Sequence, residues 1–210
     1  MGVEVAKSPL LGRMSEPAFR AFQARRPDHE RWELIGGAPM MMTPPTIAHG
    51  RIAGNLERLL NEALARHDLS RMANQRPGVE LGSGDYKPEP DVGVIDADYE
   101  AGLRFVERAY LLAEVVSSTD NFMVPGTNEP WIGVKRRIYL EHEPCEAVLM
   151  IEQDRIEVRV DLKTVAGWQS ATLDGPGSEL VLPSFGLRCL VADLYEGTPL
   201  HPRAGRSPKI

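Results

Sequence analysis

Apolar positions follow a helical spacing most clearly from about Ile47 to Arg66, where Ile52, Leu56, Leu59, Leu60, Ala63 and Leu64 recur at intervals of three and four. That stripe predicts a helix with one buried face. Thr46 is its expected N-cap, after a Pro44-Pro45 pair through which no helix continues. Ser15-Glu16-Pro17 opens a shorter helix to about Ala24, and a third is expected from about Glu129 to His142, capped by Thr127 or Asn128. Strand-like runs fill most of the rest. Residues 31–35 and 38–42 flank Gly36-Gly37 as a hairpin. Val79–Leu81 and Asp91–Ile95 are strands, and Ala109–Val116 (AYLLAEVV) is apolar enough to be a buried central one. Residues 145–152 and 155–161 pair across Gln153-Asp154, strands follow at 167–172 and 179–182, and 185–195 closes as a short helix or turn. Strands interrupted by helices, without a repeated βαβ winding, predict an α/β (α+β mixed) domain. Its sheet is mixed and mostly antiparallel, flanked by helices and carrying additional hairpins. The domain spans 15–197, between a loose leader (1–14) and a C-terminal tail (198–210).

Composition changes this picture little. With 210 residues, 42% hydrophobic and 26% charged, the chain can build a core, which excludes a disordered or fibrous protein. Charge matters more: Lys plus Arg number 24 against 30 Asp plus Glu, a net charge of −6, so no general basic surface exists and any grip on nucleic acid must be local. Cys145 and Cys189 make no metal-binding spacing, and no stretch approaches the ~20 apolar residues of a membrane span, so the expected location is the cytoplasm.

Candidate chemistry begins with Asp91 and Glu114. A carboxylate inside a central strand is costly unless a partner, a metal or a function compensates it. If 91–95 and 110–116 pair antiparallel with Asp91 opposite Glu114, Ile95 faces Tyr110 and a polar loop (96–109) joins the strands. Opposed residues share a sheet face, so the two acids repel each other until a divalent cation arrives. Hard oxygen ligands suit Mg²⁺ or Mn²⁺, and because Mg²⁺ keeps several waters, two carboxylates suffice. Taken singly, Asp91 is also explained as a turn acid after Pro90, and Glu114 as an arginine's partner.

These residues also carry a resemblance. Pro90-Asp91-Val92 followed by Leu112-Ala113-Glu114-Val115-Val116-Ser117 resembles the PD-(D/E)XK nuclease superfamily, and more closely its restriction endonuclease family called Uma-two. Trp32-Glu33-Leu34-Ile35-Gly36-Gly37 resembles that family's opening hairpin, and Ala48-His49-Gly50-Arg51-Ile52 the histidine at the head of its first core helix. Lys135-Arg136-Arg137-Ile138-Tyr139 resembles its helical lysine element, and Leu182 through Tyr195 its closing segment. The resemblance implies a restriction-endonuclease-like core. It also implies a metal-dependent endonuclease acting on DNA, with metal on Asp91 and Glu114. Position 116, where classical members carry lysine, is valine here; the family draws its lysine from the following helix, which gives Lys135.

An ammonium at Lys135 would orient the attacking water and stabilise charge on the phosphate; otherwise Lys135 is a solvated helix lysine. Glu33 is either an auxiliary acid beside the metal or an exposed strand acid. His49 either positions a phosphate or ligand water or bonds a neighbour at its helix start. Glu80 is a weaker auxiliary acid. Tyr139, one turn beyond Lys135, is expected to pack, and Arg136 and Arg137 to form a solvated face. DNA is the expected substrate and a homodimer the expected assembly, since cutting two strands suits two-fold symmetry. The competing function is an inactive nuclease-fold protein serving as an interaction or regulatory module.

Overall fold

The computed structural model describes residues 13–27, 29–81, 84–124 and 127–201; most of the expected leader and tail, with Pro125-Gly126, lies outside them. The chain runs α1 (Glu16–Gln23), β1 (Trp32–Ile35), β2 (Ala38–Met41), α2 (Ile47–His67), β3 (Arg71–Gln75), β4 (Gly78–Val79), β5 (Val92–Asp96), β6 (Phe105–Val106) and β7 (Ala109–Val116). Then come α3 (Trp131–Glu141), β8 (Ala147–Glu152), β9 (Glu157–Thr164), β10 (Gly167–Asp174), β11 (Glu179–Leu182), β12 (Leu187–Leu190) and α4 (Val191–Leu194).

Six strands form the main sheet in the order β10-β9-β8-β7-β5-β3. Every pairing is antiparallel except β7 with β8, whose crossover is α3. The sheet is therefore mixed and mostly antiparallel, as the sequence pattern predicts. β7 is buried along nearly its whole length because helices cover both sheet faces. Leu111, Ala113 and Val115 join the cluster that packs Ile52, Leu56, Leu60, Ala63 and Leu64 of α2. Leu112 and Val116 join Trp131, Val134, Ile138 and Tyr139 of α3 in the cluster on the other face. Strand alternation then assigns Glu114 to the α3 side.

Several details depart from the sequence reading. The register is as expected at Val92↔Ala113, Gly93↔Leu112 and Val94↔Leu111, but a bulge then sets Ile95 against Ala109 instead of Tyr110. The 96–109 connection contains β6, which pairs with β4. β3 is absent from the sequence reading because it is a polar edge strand (RMANQ), and Asn61 of α2 bonds both backbone groups of Ala73 there. The close expected at 185–195 is in part a strand: β12 pairs with β11 after Gly186, whose φ of +62° and close approach to His67 require glycine. The β8–β9 connection occupies 153–156 rather than two residues, and α3 is capped at Pro130, one turn later than Thr127.

Candidate active site

The helical spacing of α3 lines up Trp131, Lys135 and Tyr139 on one face, and that face lies over β7 and β1. The Trp131 indole N–H donates to Glu33 Oε2 at 2.9 Å, and the Glu89 backbone N–H donates to Glu33 Oε1 at 2.9 Å. Lys135 Nζ stands 2.9 Å from Glu114 Oε2, 3.1 Å from Glu33 Oε1 and 3.7 Å from Asp120 Oδ1. The Tyr139 hydroxyl donates to the other Glu114 oxygen in a short hydrogen bond. Asp120 is positioned by the turn after β7, where its Oδ2 accepts from the Ser117 backbone N–H at 2.9 Å.

His49 enters from the other face. Thr46 caps α2 by accepting the His49 backbone N–H at 3.1 Å, which holds the imidazole over the end of the sheet. His49 Nε2 lies 3.1 Å from Asp91 Oδ2, which also accepts the Val115 backbone N–H at 3.0 Å. Buried Nδ1 of His49 has no hydrogen-bond partner among the described residues.

All five sequence-predicted site residues, Asp91, Glu114, Lys135, Glu33 and His49, line one cleft of about 130 Å³. Lys135 reaches it across the long 117–128 connection, where the described residues bury Val124 and bridge Met123 to Pro130. Glu33 is 1% exposed, so it is no surface acid. Tyr139 and Asp120 belong to the site although the sequence reading leaves Asp120 out and gives Tyr139 only packing. Spacing carried a signal for each: Tyr139 is one turn from Lys135, and Ser117-x-x-Asp120 is a capping pattern. The other candidates lie elsewhere. Glu80 pairs with Arg20 at 2.8 Å, and Arg136 grips the fully buried Asp161 through two bonds of 2.7 and 2.6 Å. Arg137 faces Glu129 and Glu141.

Four buried carboxylates (Glu33, Asp91, Glu114 and Asp120) thus surround one buried lysine and one histidine. Fully ionised, they would outnumber the cations even with His49 protonated. Burial drives the Glu114 carboxyl well above the usual range; Lys135 opposes that, while Asp91, Glu33 and Asp120 add to it. Burial would depress Lys135, but the carboxylates, Glu114 first, hold it well above the ordinary lysine value. Burial also pushes on Asp91, yet the His49 hydrogen bond and charge, Lys135 and the Val115 N–H together keep it below its usual value. Tyr139 is pushed up by burial and then by Glu114.

A model of the Uma2 family (Uma-two), described as putative restriction endonuclease, matches residues 17–192. The chain belongs to the Uma2 family. Its fold is shared by the crystal structure of a putative nuclease belonging to DUF820 from Anabaena variabilis, with a TM-score of 0.62 and 19% identity over 83% of this chain and 94% of that one. No curated protein matches the sequence.

Does the site suit a metal? Among the described residues no group of three or more His, Cys, Asp and Glu side chains is arranged to hold one. The candidate donors are the pair Asp91 and Glu114, enough for a hard cation that keeps its waters. Among the described residues, hydrogen bonds to the Asp91 carboxylate fall on Oδ2 alone, while both Glu114 oxygens are engaged, by Lys135 and Tyr139. Oxygen-only chemistry and excess buried negative charge fit a divalent cation, which would share Glu114 with Lys135.

Proposed function

We propose that this chain is a divalent-metal-dependent endonuclease that hydrolyses DNA phosphodiester bonds, with Mg²⁺ or Mn²⁺ held by Asp91 and Glu114 and Lys135 assisting water attack. The observation supporting it is the convergence of Asp91, Glu114 and Lys135 in one negatively charged cleft. When bound, the cation supplies Lewis-acid polarisation of the phosphoryl oxygen and a more acidic water. Lys135, held protonated by its carboxylates, is no general base; it is a fixed positive charge beside the phosphate as negative charge develops. Glu33, anchored by Trp131 and the Glu89 N–H, fixes the lysine head, so its role is positioning. His49 keeps Asp91 ionised and orients it. Because Glu114 sits above its usual range, cation binding releases protons and strengthens as pH rises.

A second reading, an inactive nuclease-fold protein that regulates or tethers, draws on the engagement of both Glu114 oxygens and the lack of a three-ligand group among the described residues. Calorimetric titration with Mg²⁺ and Mn²⁺, beside cleavage of plasmid and single-stranded DNA, separates the two. The nuclease reading expects metal uptake and cleavage by wild type, and loss of both in Asp91→Asn and Glu114→Gln. Wild type that takes up no metal and cuts nothing leaves the second reading. Cleavage that survives Asp91→Asn places the chemistry elsewhere. A homodimer pairing two clefts across a two-fold axis belongs to the nuclease reading. A purely monomeric species in light scattering would remove it.

A further inference from the structure

Beside the catalytic cleft lies a second, larger groove of about 520 Å³, and its lining departs from the chain's overall charge. Among the described residues, Arg20, Arg26, Arg31, Arg76 and Arg104 face it with only Glu30 and Glu89, in a chain whose net charge is −6. Every cation in this described lining is arginine, whose planar fork matches phosphate oxygens where lysine offers a point charge.

The arginines are pre-positioned. The Arg20 guanidinium lies 3.9 Å over the Phe105 ring, and that of Arg26 lies 4.2 Å over Phe22 and 5.5 Å over Trp32. Stacking this way holds the guanidinium planes; Arg20 also bonds Glu80 and Gln23, whereas Arg26 keeps its N–H edges for a ligand. The stacking also occupies ring faces on which bases would otherwise stack. Nε of Arg20 and of Arg31 is buried without a hydrogen-bond partner among the described residues. Arg26 and Arg76 make no ion pair among the described residues, and burial followed by the neighbouring Arg31 charge pulls Arg76 below the ordinary guanidinium value. Arg76 is also the only non-glycine described residue at positive φ (+52°), a conformation that costs energy and needs support from its surroundings.

The groove adjoins the candidate active-site cleft. Arg31 lines both, and the Arg76 backbone N–H donates to the Asp91 carbonyl at 3.0 Å. We propose that this groove is a strand track, taking the phosphodiester backbone of a nucleic-acid strand as it leads into the cleft, without reading bases. The proposal rests on the nuclease reading for what lies at the end of the track. It reconciles an acidic chain with a polyanionic substrate, because the attraction is confined to one groove.

The test is fluorescence anisotropy with labelled single-stranded and duplex DNA in EDTA, over roughly 50–200 mM NaCl, so that binding is read without catalysis. Arg26→Gln and Arg76→Asn remove exposed guanidiniums, and Asn tolerates positive φ. The double variant should bind at least about tenfold more weakly, and the slope of log K against log salt should fall by about 0.7–0.9 for each lost phosphate contact. Arg26→Lys, which keeps the charge, should keep the slope. Manganese-dependent hydrolysis of bis(4-nitrophenyl) phosphate, too small to use the track, should be unchanged in Arg26→Gln. Wild type that binds neither DNA at low salt, or variants with wild-type affinity and slope, overturns the proposal. An arginine-dependent slope in a wild type that hydrolyses no diester keeps the track and removes the nuclease reading.

Discussion

Replacing Lys135 with methionine tests whether one ammonium holds the four carboxylates together. At 2.9, 3.1 and 3.7 Å, its attractions to Glu114, Glu33 and Asp120 are each about 4–6 kcal/mol at an effective dielectric of ~20. Desolvation of the buried lysine cancels much of that, so the measurable loss is that of breaking a buried pair, about 3–5 kcal/mol near neutral pH. The loss should depend on pH. Burial and neighbouring acids already raise Glu114, and removing the ammonium raises it further. A folded-state pKa above the unfolded one gives stability that is complete at low pH and disappears as pH rises through the folded value. Lys135→Met should therefore come closest to wild type near pH ~4–5 and fall furthest behind above pH ~7. A cation that occupies the site replaces the missing charge, and at a hundred times its Kd would return about 2.7 kcal/mol. Urea unfolding followed by circular dichroism at several pH values, with and without Mg²⁺, reads all three effects. A loss below about 1 kcal/mol that is the same at every pH would refute the electrostatic account and leave Lys135 a packing residue.

Two further expectations follow from the geometry. His49→Gln removes the imidazole that keeps Asp91 low, so burial should raise the Asp91 pKa and the acid limb of Mg²⁺ binding should move to higher pH; an unmoved limb in calorimetric titrations would detach His49 from Asp91. Arg136→Ala leaves fully buried Asp161 without its bidentate partner and should cost roughly 2–3 kcal/mol in urea unfolding, while Mg²⁺ affinity is unchanged.

What the sequence made legible follows from how unusual a residue is in its local setting. A glutamate inside AYLLAEVV is conspicuous because an apolar strand makes a charge expensive, and Asp91 follows once the strands pair, since it directly precedes Val92, the partner of Ala113. The α2 stripe was legible for the same reason: its period is set by what it buries. Elements whose pattern answers to a neighbour were not. β3 is polar because it lies at a sheet edge, and the slip at Ile95 is a bulge that leaves no compositional mark. The arginine groove is the extreme case. Its five cations come from positions 20 to 104, each in a polar segment where arginine costs nothing and attracts no notice. Only folding places them together, and only the aromatic rings beneath Arg20 and Arg26 set these apart from solvated side chains. The acids of the candidate site announce themselves by violating a hydrophobic pattern, whereas the residues that would guide a strand to them violate nothing; a net charge of −6 therefore bears on the surface at large and not on this groove.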